Sequence, residues 1–239
     1  RNTTMPRILT FSASQAADAL YALASAGMNA KDSVSALQGT ALLATATQSD
    51  LGQAAEIVAS SITQFKLSAE DAERVSNTFT AAINVSQLNM ERLAYSMKYV
   101  GPVAGALGIS FEEVTGTLAA LSNAGIMSEQ AGTTLRSMMT DLITPSTKLN
   151  ETLGALGLSM ADVDPRTKGL AGAIDALKGA GMTTADAMKL FGEAAGPGMV
   201  ALLDAGGEAI RQMTTNVTGT NAAMETATMQ MDNYYQAQE

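Results

Sequence analysis

Two pairs of adjacent carboxylates are the side chains of this sequence best suited to catalysis, namely Glu70-Asp71 and Glu112-Glu113. Two neighbouring carboxyl groups can divide the roles of general acid and general base, as they do in glycoside hydrolysis. Each pair, however, stands two and three positions after a serine, Ser68 or Ser110. That spacing is typical of the first turn of a helix, where acids cap backbone N–H groups and complement the helix dipole. We therefore interpret both pairs as helix-start residues and predict no catalytic residue.

Other kinds of reactive or ligand-binding site lack the residues that they need. The sequence contains no His and no Cys, which excludes imidazole and thiolate metal sites as well as disulfides. The glycine-rich stretch 101–108 lacks the Lys-Ser/Thr ending of a phosphate-binding loop and follows a helical pattern instead of a strand. No acidic segment has the spacing of an EF-hand calcium loop. We predict no cofactor, no cofactor-binding residue and no metal site, and hence a protein that is not an enzyme.

The charge balance indicates which partners the chain can have. Acidic residues outnumber basic ones by 23 to 14, and the net charge is −9. Because the basic residues are scattered and phosphate binding needs them clustered, we predict no specific nucleic-acid binding. Charged residues make up only 15% of the chain, against about a quarter in typical soluble domains. A surface so poor in charge favours a component of an assembly, part of whose surface faces other proteins.

Apolar residues recur at helical spacing, every three or four positions, through nearly the whole sequence. The clearest stripes are Leu51, Ala54, Val58, Ile62 and Phe65; Leu93, Met97, Val100, Ala104 and Leu107; and Ala131, Leu135, Met138 and Leu142. Strand-like alternation of apolar and polar residues is absent over any useful length, so the predicted fold class is all-α. No stretch is long and apolar enough to predict a transmembrane helix.

The predicted helix starts share a pattern in which an apolar residue precedes a capping residue and an acid or amide follows three positions later. The capping residues and their partners are Ser12 and Gln15, Asn29 and Asp32, Ser68 and Asp71, Ser110 and Glu113, Ser159 and Asp162, and Thr183 and Asp186. Glycines suited to a left-handed helix end precede the next helix start or turn at Gly27, Gly108, Gly125, Gly157 and Gly181. We predict an irregular array of short capped helices, with an armadillo-like or HEAT-like repeat as the alternative.

The positions of glycine and proline, and the change in polarity along the chain, predict the domain organisation. We expect one helix over about 88–107, kinked at Gly101-Pro102, because its apolar stripe continues in register across the proline. Residues 1–205 are predicted to form one helical region, with a softer boundary near 144–166, and residues 206–239 to begin a following segment with a longer C-terminal helix. A further boundary is expected at Gly196-Pro197-Gly198, with Pro197 in the first turn of a helix. The start at Arg1, without a signal-peptide pattern, suggests an excerpt of a longer protein.

Two segments carry a family resemblance, residues 98–110 (KYVGPVAGALGIS) and 123–136 (NAGIMSEQAGTTLR). Both resemble the conserved core region of phage tail tape-measure proteins. Residues 26–37 and the helices predicted over 51–65 and 67–79 are similar to that region in order and spacing. The resemblance extends over most of residues 12–205 and departs from the family pattern around 160–167, at Asp164-Pro165-Arg166. No catalytic residue carries over from it.

The resemblance implies a structural virion component that sets tail length during assembly and leaves the tail tube when DNA is ejected. It implies a location in the tail tube lumen or tail tip of the virion, and in the host cytoplasm during assembly. The implied partners are other copies of the chain, as a trimer or hexamer, together with tail tube proteins, tail tip or baseplate proteins, an assembly chaperone and the host membrane at ejection.

Three other interpretations remain open from the sequence. A membrane-penetrating or pore-forming helical segment that assists genome entry fits the low charge and the many Ala, Gly and Met residues. A cell-wall hydrolase would need catalytic residues that neither carboxylate pair clearly supplies. An unrelated helical scaffold would share the fold class without the function.

Overall fold

The computed structural model describes residues 11–236, and within them the chain forms twelve α-helices, one short 3-10 turn and no strand. The helices are α1 (Ala13–Ser25), α2 (Ala30–Thr47), α3 (Leu51–Gln64), α4 (Ala72–Val85), α5 (Met90–Leu107), α6 (Phe111–Asn123), α7 (Ser128–Ile143), α8 (Thr147–Ala155), α9 (Met160–Val163), α10 (Pro165–Gly179), α11 (Thr184–Val217) and α12 (Ala222–Gln236). The 3-10 turn, Ala69–Asp71, leads directly into α4. The all-α prediction is confirmed.

The predicted helix starts are confirmed, because each predicted capping residue precedes a helix or the 3-10 turn in extended conformation. In α1, Ser12 Oγ accepts from Gln15 N at 3.2 Å while Gln15 Oε1 accepts from Ser12 N at 2.9 Å. The same reciprocal pair joins Thr183 and Asp186 at the start of α11. These contacts satisfy backbone donors that have no partner inside the helix.

The predicted helix ends are confirmed as well. All five glycines named from the sequence have a left-handed backbone, with φ between 74° at Gly108 and Gly157 and 96° at Gly27. After Gly108, for example, Ile109 N donates to Ala104 O at 3.0 Å, which satisfies a carbonyl that the end of α5 leaves open. Short helices therefore begin and end where local sequence places a cap.

The helix α5 runs through Gly101-Pro102 without a non-helical residue, which confirms that one helix continues across the proline. Its bounds, Met90–Leu107 with Asn89 as the N-cap, agree with the predicted range of about 88–107. The side chain of Pro102 is exposed while Gly101 and Val100 are buried. The proline therefore lies on the solvent side, where a ring without an N–H is easiest to accommodate.

Breaks inside α10 and α11 are a feature that the sequence analysis did not predict. Gly169 in α10 has φ 70° and ψ 172°, and in α11 Gly192 has φ 69° and ψ −172° and Gly206 has φ 79° and ψ 166°. This conformation is essentially restricted to glycine. The predicted helix start at Pro197 is wrong, because the break lies at Gly192 and Pro197 stands inside the helical stretch that follows it.

The segment 160–167, where the sequence departs from the family pattern, forms a local helix start. Asp164 has an extended backbone and its Oδ1 accepts from Arg166 N at 2.9 Å, with Pro165 at the first position of α10. Proline is favoured there because its missing N–H would lack a partner in any case. Aspartate and proline together thus explain why α10 starts at this point.

The chain divides into two compact units, of which the first combines Arg1–Asn84 with Gly219–Glu239. In its described part, α1 packs on α3, α2 packs on α3 and on the 3-10 turn, and α12 packs on α2. Its buried core is rich in small side chains, with Ala36, Ala54, Val58 and Phe79 fully buried. Unit 1 is therefore built from two separate stretches of chain.

The second unit is the continuous stretch Val85–Thr218. In unit 2, α5 packs on α7, and α11 packs on α6, α7 and α10. Because α6 pairs most extensively with a helix far along the chain, the pairing is not the neighbour-to-neighbour stacking of an armadillo or HEAT array. The irregular array of helices, rather than the repeat, describes this unit. The predicted division between residues 205 and 206 stays a prediction, although it falls at the break in α11.

Candidate interaction site

The two acids at the start of α6 serve structural contacts. Glu113 N donates to Ser110 Oγ at 3.1 Å, as predicted for a capped helix. The carboxylate of Glu113 does not return to Ser110, because its Oε1 accepts from Leu170 N at 2.7 Å at the restart of α10. The neighbouring Glu112 is buried, with only 9% of its surface exposed. The expected return contact from Glu113 to its own cap is therefore wrong, since a second helix uses that oxygen.

The other acid pair stands at the surface of unit 1. Asp71 Oδ2 accepts from Ser68 N at 2.8 Å, and Asp71 Oδ1 accepts from Arg74 Nε at 3.1 Å. Partial burial alone would raise the pKa of Asp71, but the hydrogen bonds from Ser68 and Arg74 outweigh it and lower the pKa below the ordinary value. An acid held ionised in this way caps a helix and is poorly suited to act as a general acid near neutral pH.

Asp175 on α10 links two helices of unit 2 at the second break in α11. Its Oδ1 accepts from Gly207 N at 2.8 Å, directly after Gly206, and its Oδ2 lies 2.8 Å from Arg211 Nη2. The hydrogen bond from Arg211 and the one from Gly207 lower the pKa of Asp175 against a smaller opposing effect of burial. The carboxylate of Asp175 therefore caps the part of α11 that begins after Gly206 and also forms an ion pair with Arg211 in that part.

Lysines donate hydrogen bonds to backbone carbonyl groups that come just before the two breaks in α11, at Gly206 and Gly192. Lys178 Nζ donates to Asp204 O at 2.9 Å, two residues before Gly206. Lys148 Nζ on α8 donates to Lys189 O at 3.1 Å, three residues before Gly192. A cation is favourable there because a helix end carries partial negative charge on its free carbonyls. Neighbouring helices thus hold the breaks through charged side chains.

Glycines inside helices let helix backbones approach closely. A Cβ added to Gly116 on α6 would lie 2.6 Å from Thr214 N on α11, and one added to Gly39 on α2 would lie 2.7 Å from Glu73 N. A Cβ on Gly132 of α7 would collide with the carbonyl oxygen of Ser96 on α5. Each contact is with backbone, which cannot move aside as a flexible side chain can. These glycines are needed for packing within each unit.

The helix α12 sits on unit 1 through a narrow apolar face and three polar contacts. Ala223, Ala227 and Met231 are buried against Leu42 and Ala46 of α2. Asn77 Oδ1 accepts from Ala223 N at 3.0 Å, Asn84 Nδ2 donates to Thr226 Oγ1 at 2.9 Å, and Gln48 Nε2 donates to Gln230 Oε1 at 2.5 Å. We call the surface formed by Leu42, Ala46, Gln48, Asn77 and Asn84 the α12 seat.

Large apolar side chains on the surface are the candidates for contact with other proteins. Those exposed by more than a third are Tyr21, Val34, Val85, Tyr95, Met188, Met229 and Tyr234. On unit 2, Tyr95 is 50% exposed, and the guanidinium of Arg136 lies 5.8 Å from the ring centre of Tyr99. A hydrogen bond to Glu129 raises the pKa of Tyr99 above 10.0. Tyrosine and arginine are enriched where interfaces gain most of their binding energy.

The sequence matches the family of phage-related minor tail proteins over residues 3–196. The chain belongs to this family. This confirms the resemblance to phage tail proteins found in the sequence, and the matched range agrees closely with residues 12–205. As a phage-related minor tail protein, the chain is a structural component of a phage tail.

Two relatives of this minor tail protein are described as tape measure proteins. The "Tape measure protein" of Pneumococcus phage Dp-1 is 34% identical over 230 residues, which is 93% of this chain and 20% of the relative. The "Probable tape measure protein" of Escherichia phage P2 is 26% identical over 157 residues, or 66% of this chain and 19% of the relative. The chain therefore spans about a fifth of the length of the relatives that it matches. No solved structure is similar to it at a meaningful level.

Across residues 11–236, no three acidic side chains converge closely enough to hold a metal ion. The same part of the chain contains no helix that combines the length and the apolar character needed to cross a membrane. The interaction candidates are thus the α12 seat in unit 1 and the Tyr95 and Tyr99 surface in unit 2. Sequence periodicity placed Tyr95 and Tyr99 on a helix but carried no signal for the α12 seat.

Proposed function

We propose that this chain is a segment of a tape-measure protein, which sets tail length during assembly and leaves the tail tube when DNA is ejected. The observation that carries the proposal is the 34% identity to the tape measure protein of phage Dp-1 over 93% of the chain. Its helical fold and its lack of His and Cys suit a structural role. The segment works inside the tail tube or at the tail tip, with tube, tip or baseplate proteins and an assembly chaperone as partners.

Two compact units suit a segment that contacts other tail proteins, while other parts of the protein measure length. A continuous helix extends about 1.5 Å per residue, but caps and glycine breaks fold these residues into short helices. The net charge of −9 keeps the segment from adhering to DNA that passes through the same lumen. Low surface charge and exposed Tyr95 and Met229 supply contact area for protein partners.

An in-frame deletion tests the tape-measure role. In a phage that encodes the chain, residues 11–236 are removed from the gene and tails are measured by electron microscopy. We expect absent tails or tails of altered length, restored when the intact gene is supplied in trans. Tails of normal number and length would overturn the proposal. Release is tested separately by triggering DNA ejection from purified virions, after which the emptied tails should lack the protein on an immunoblot.

Self-association is the part of the proposal that concerns this segment most directly. Copies arranged around a tube axis would form a trimer or hexamer, since cyclic symmetry closes such assemblies. Sedimentation of the chain at micromolar concentration should show an oligomer, with a melting temperature that rises with concentration. A monodisperse monomer with a sharp, concentration-independent transition would contradict it.

A further inference from the structure

The α12 seat recognises a helix by position and not only by its apolar surface. Asn77 and Asn84 lie seven residues apart on α4 and contact the first and second turns of α12, at Ala223 and Thr226. Gln48, whose left-handed backbone ends α2, contacts Gln230 near the C-terminal end of α12. The three contacts fix the register and direction of the helix. Any helix with the sequence of α12 fits the seat equally well.

The α12 seat binds α12 only weakly, given that α12 is a helix of 15 residues. The apolar part of the contact includes two buried alanine methyl groups and two methionine side chains, one buried and one partly buried, at Ala223, Ala227, Met231 and Met224. Released amide and hydroxyl groups regain hydrogen bonds with water, so each polar contact contributes only part of its hydrogen-bond energy to holding α12 in place. Segments that bury few apolar groups open most often in a native protein. The helix α12 is therefore suited to leave and return.

The connection to α12 favours such movement. It consists of Thr218-Gly219-Thr220-Asn221, in which Gly219 has φ 66° and the hydroxyl of Thr220 makes a long contact of 3.4 Å with Asn77 O. Glycine changes backbone conformation at little steric cost. An isolated helix of this length is marginal in water, so a released α12 regains stability only on a seat, which every copy of the chain carries.

We propose that α12 exchanges between copies, so that the α12 seat of one chain binds the α12 of a second. The exchanged and unexchanged forms make identical contacts at the seat, and exchange of an identical element is a low-cost route to an oligomer. The inference rests on the self-association proposed above and names the surface through which it occurs. It assigns to α12 a role in linking copies, beyond completing the fold of unit 1.

Cross-linking through introduced thiols tests the exchange, because the chain has no cysteine of its own. One tagged chain carries Gln48→Cys and a second, differently tagged chain carries Gln230→Cys, two positions whose side chains contact each other at 2.5 Å. The folded proteins are mixed at micromolar concentration, incubated, diluted and treated with a short bis-maleimide. We expect a covalent dimer that carries both tags, several-fold above the yield of a control pair with Gln48→Cys and Thr228→Cys. Thr228 is exposed on α12.

A single chain with both Gln48→Cys and Gln230→Cys is the positive control, and should close within the chain at high dilution. Cross-chain product no greater than the Thr228→Cys control, while the double variant closes, would overturn the exchange. Failure of the double variant to close would also overturn it, because α12 would then not occupy the seat. Sedimentation of the same samples separates the two proposals. An oligomer without cross-chain product leaves self-association standing through another surface, whereas a monomer without that product removes both.

Discussion

Glu113 Oε1 accepts a hydrogen bond from Leu170 N at 2.7 Å, directly after the glycine that breaks α10. The two residues are 57 positions apart in sequence. The restarted part of α10 begins with N–H groups that have no partner within the helix, and a carboxylate from α6 supplies one. A Cβ added to Gly169 would lie 2.7 Å from the same oxygen. The break and the acid that caps it are therefore mutually dependent.

Replacement of Glu113 by alanine should destabilise the chain by about 1–2 kcal/mol, the loss expected when a helix cap is removed. Glu113→Gln should lose less, because its amide oxygen still accepts from Leu170 N. Glu151→Ala, an exposed acid on α8, is the matched control and should have little effect. Urea unfolding followed by circular dichroism measures all three. Equal stability of Glu113→Ala and the control would show that the cap contributes nothing.

Glycine-to-alanine substitutions should have opposite signs at two helical positions. At Gly116 the added methyl group would lie 2.6 Å from Thr214 N, and overpacking of this kind costs about 1–3 kcal/mol. At Gly154 on α8 no atom lies within 4 Å, so alanine should stabilise the helix by about 0.5–1 kcal/mol. Thermal melts of the two variants test the contrast. Stabilisation by Gly116→Ala would mean that α6 and α11 do not approach as described.

Asp141 on α7 carries a charge that burial disfavours, and this burial raises its pKa above 3.8. A raised pKa in the folded state means that the ionised carboxylate costs stability at pH above that folded value, and that the cost disappears as the pH falls through it. Asp141→Asn should therefore raise the melting temperature at pH 7. The gain should shrink as the pH approaches 3, where the wild-type side chain is itself neutral. A variant less stable than wild type at pH 7 would contradict the prediction.

Asp175 should show the opposite pH dependence. Its hydrogen bonds from Arg211 and Gly207 lower its folded-state pKa below the ordinary value of 3.8. The stabilisation is present above that ordinary value and is lost as the pH falls through the lowered one. Between pH 5 and pH 2, wild type should therefore lose more stability than Asp175→Asn, whose side chain does not titrate. The difference is measured by urea unfolding across the range, and parallel curves would show that Asp175 is not linked to stability.

Asn77→Ala should loosen α12 selectively. The substitution leaves Ala223 N without its acceptor, at a cost of about 1–2 kcal/mol. Hydrogen exchange followed by mass spectrometry should show faster exchange in α12, with unchanged protection in α5 and α7 of unit 2. Gln53→Ala, an exposed residue on α3, should leave both regions unaffected. Unchanged protection of α12 in Asn77→Ala would show that the seat does not depend on this contact.

Local sequence was enough to predict most helix ends. Ser12, Asn29 and Thr183 cap helices through partners three residues away, and Gly27 and Gly108 end helices with a positive φ. Such contacts need only neighbouring residues and glycine's backbone freedom. The failure at Pro197 has the same origin. The sequence around Pro197 fits a helix start, but it fits equally well an interior position in the helical stretch that follows the break at Gly192.

The sequence by itself determined the all-α class, the caps, the continuous helix through Gly101-Pro102 and the family, because periodicity, capping and order along the chain are properties of neighbouring residues. Only the tertiary structure decided that Glu113 caps α10, that Asp175 holds the break at Gly206, and that α12 returns to α2. These contacts join residues far apart in the chain. A break in a helix exposes backbone groups that need partners, and the sequence pattern around a glycine does not show whether a distant residue supplies them.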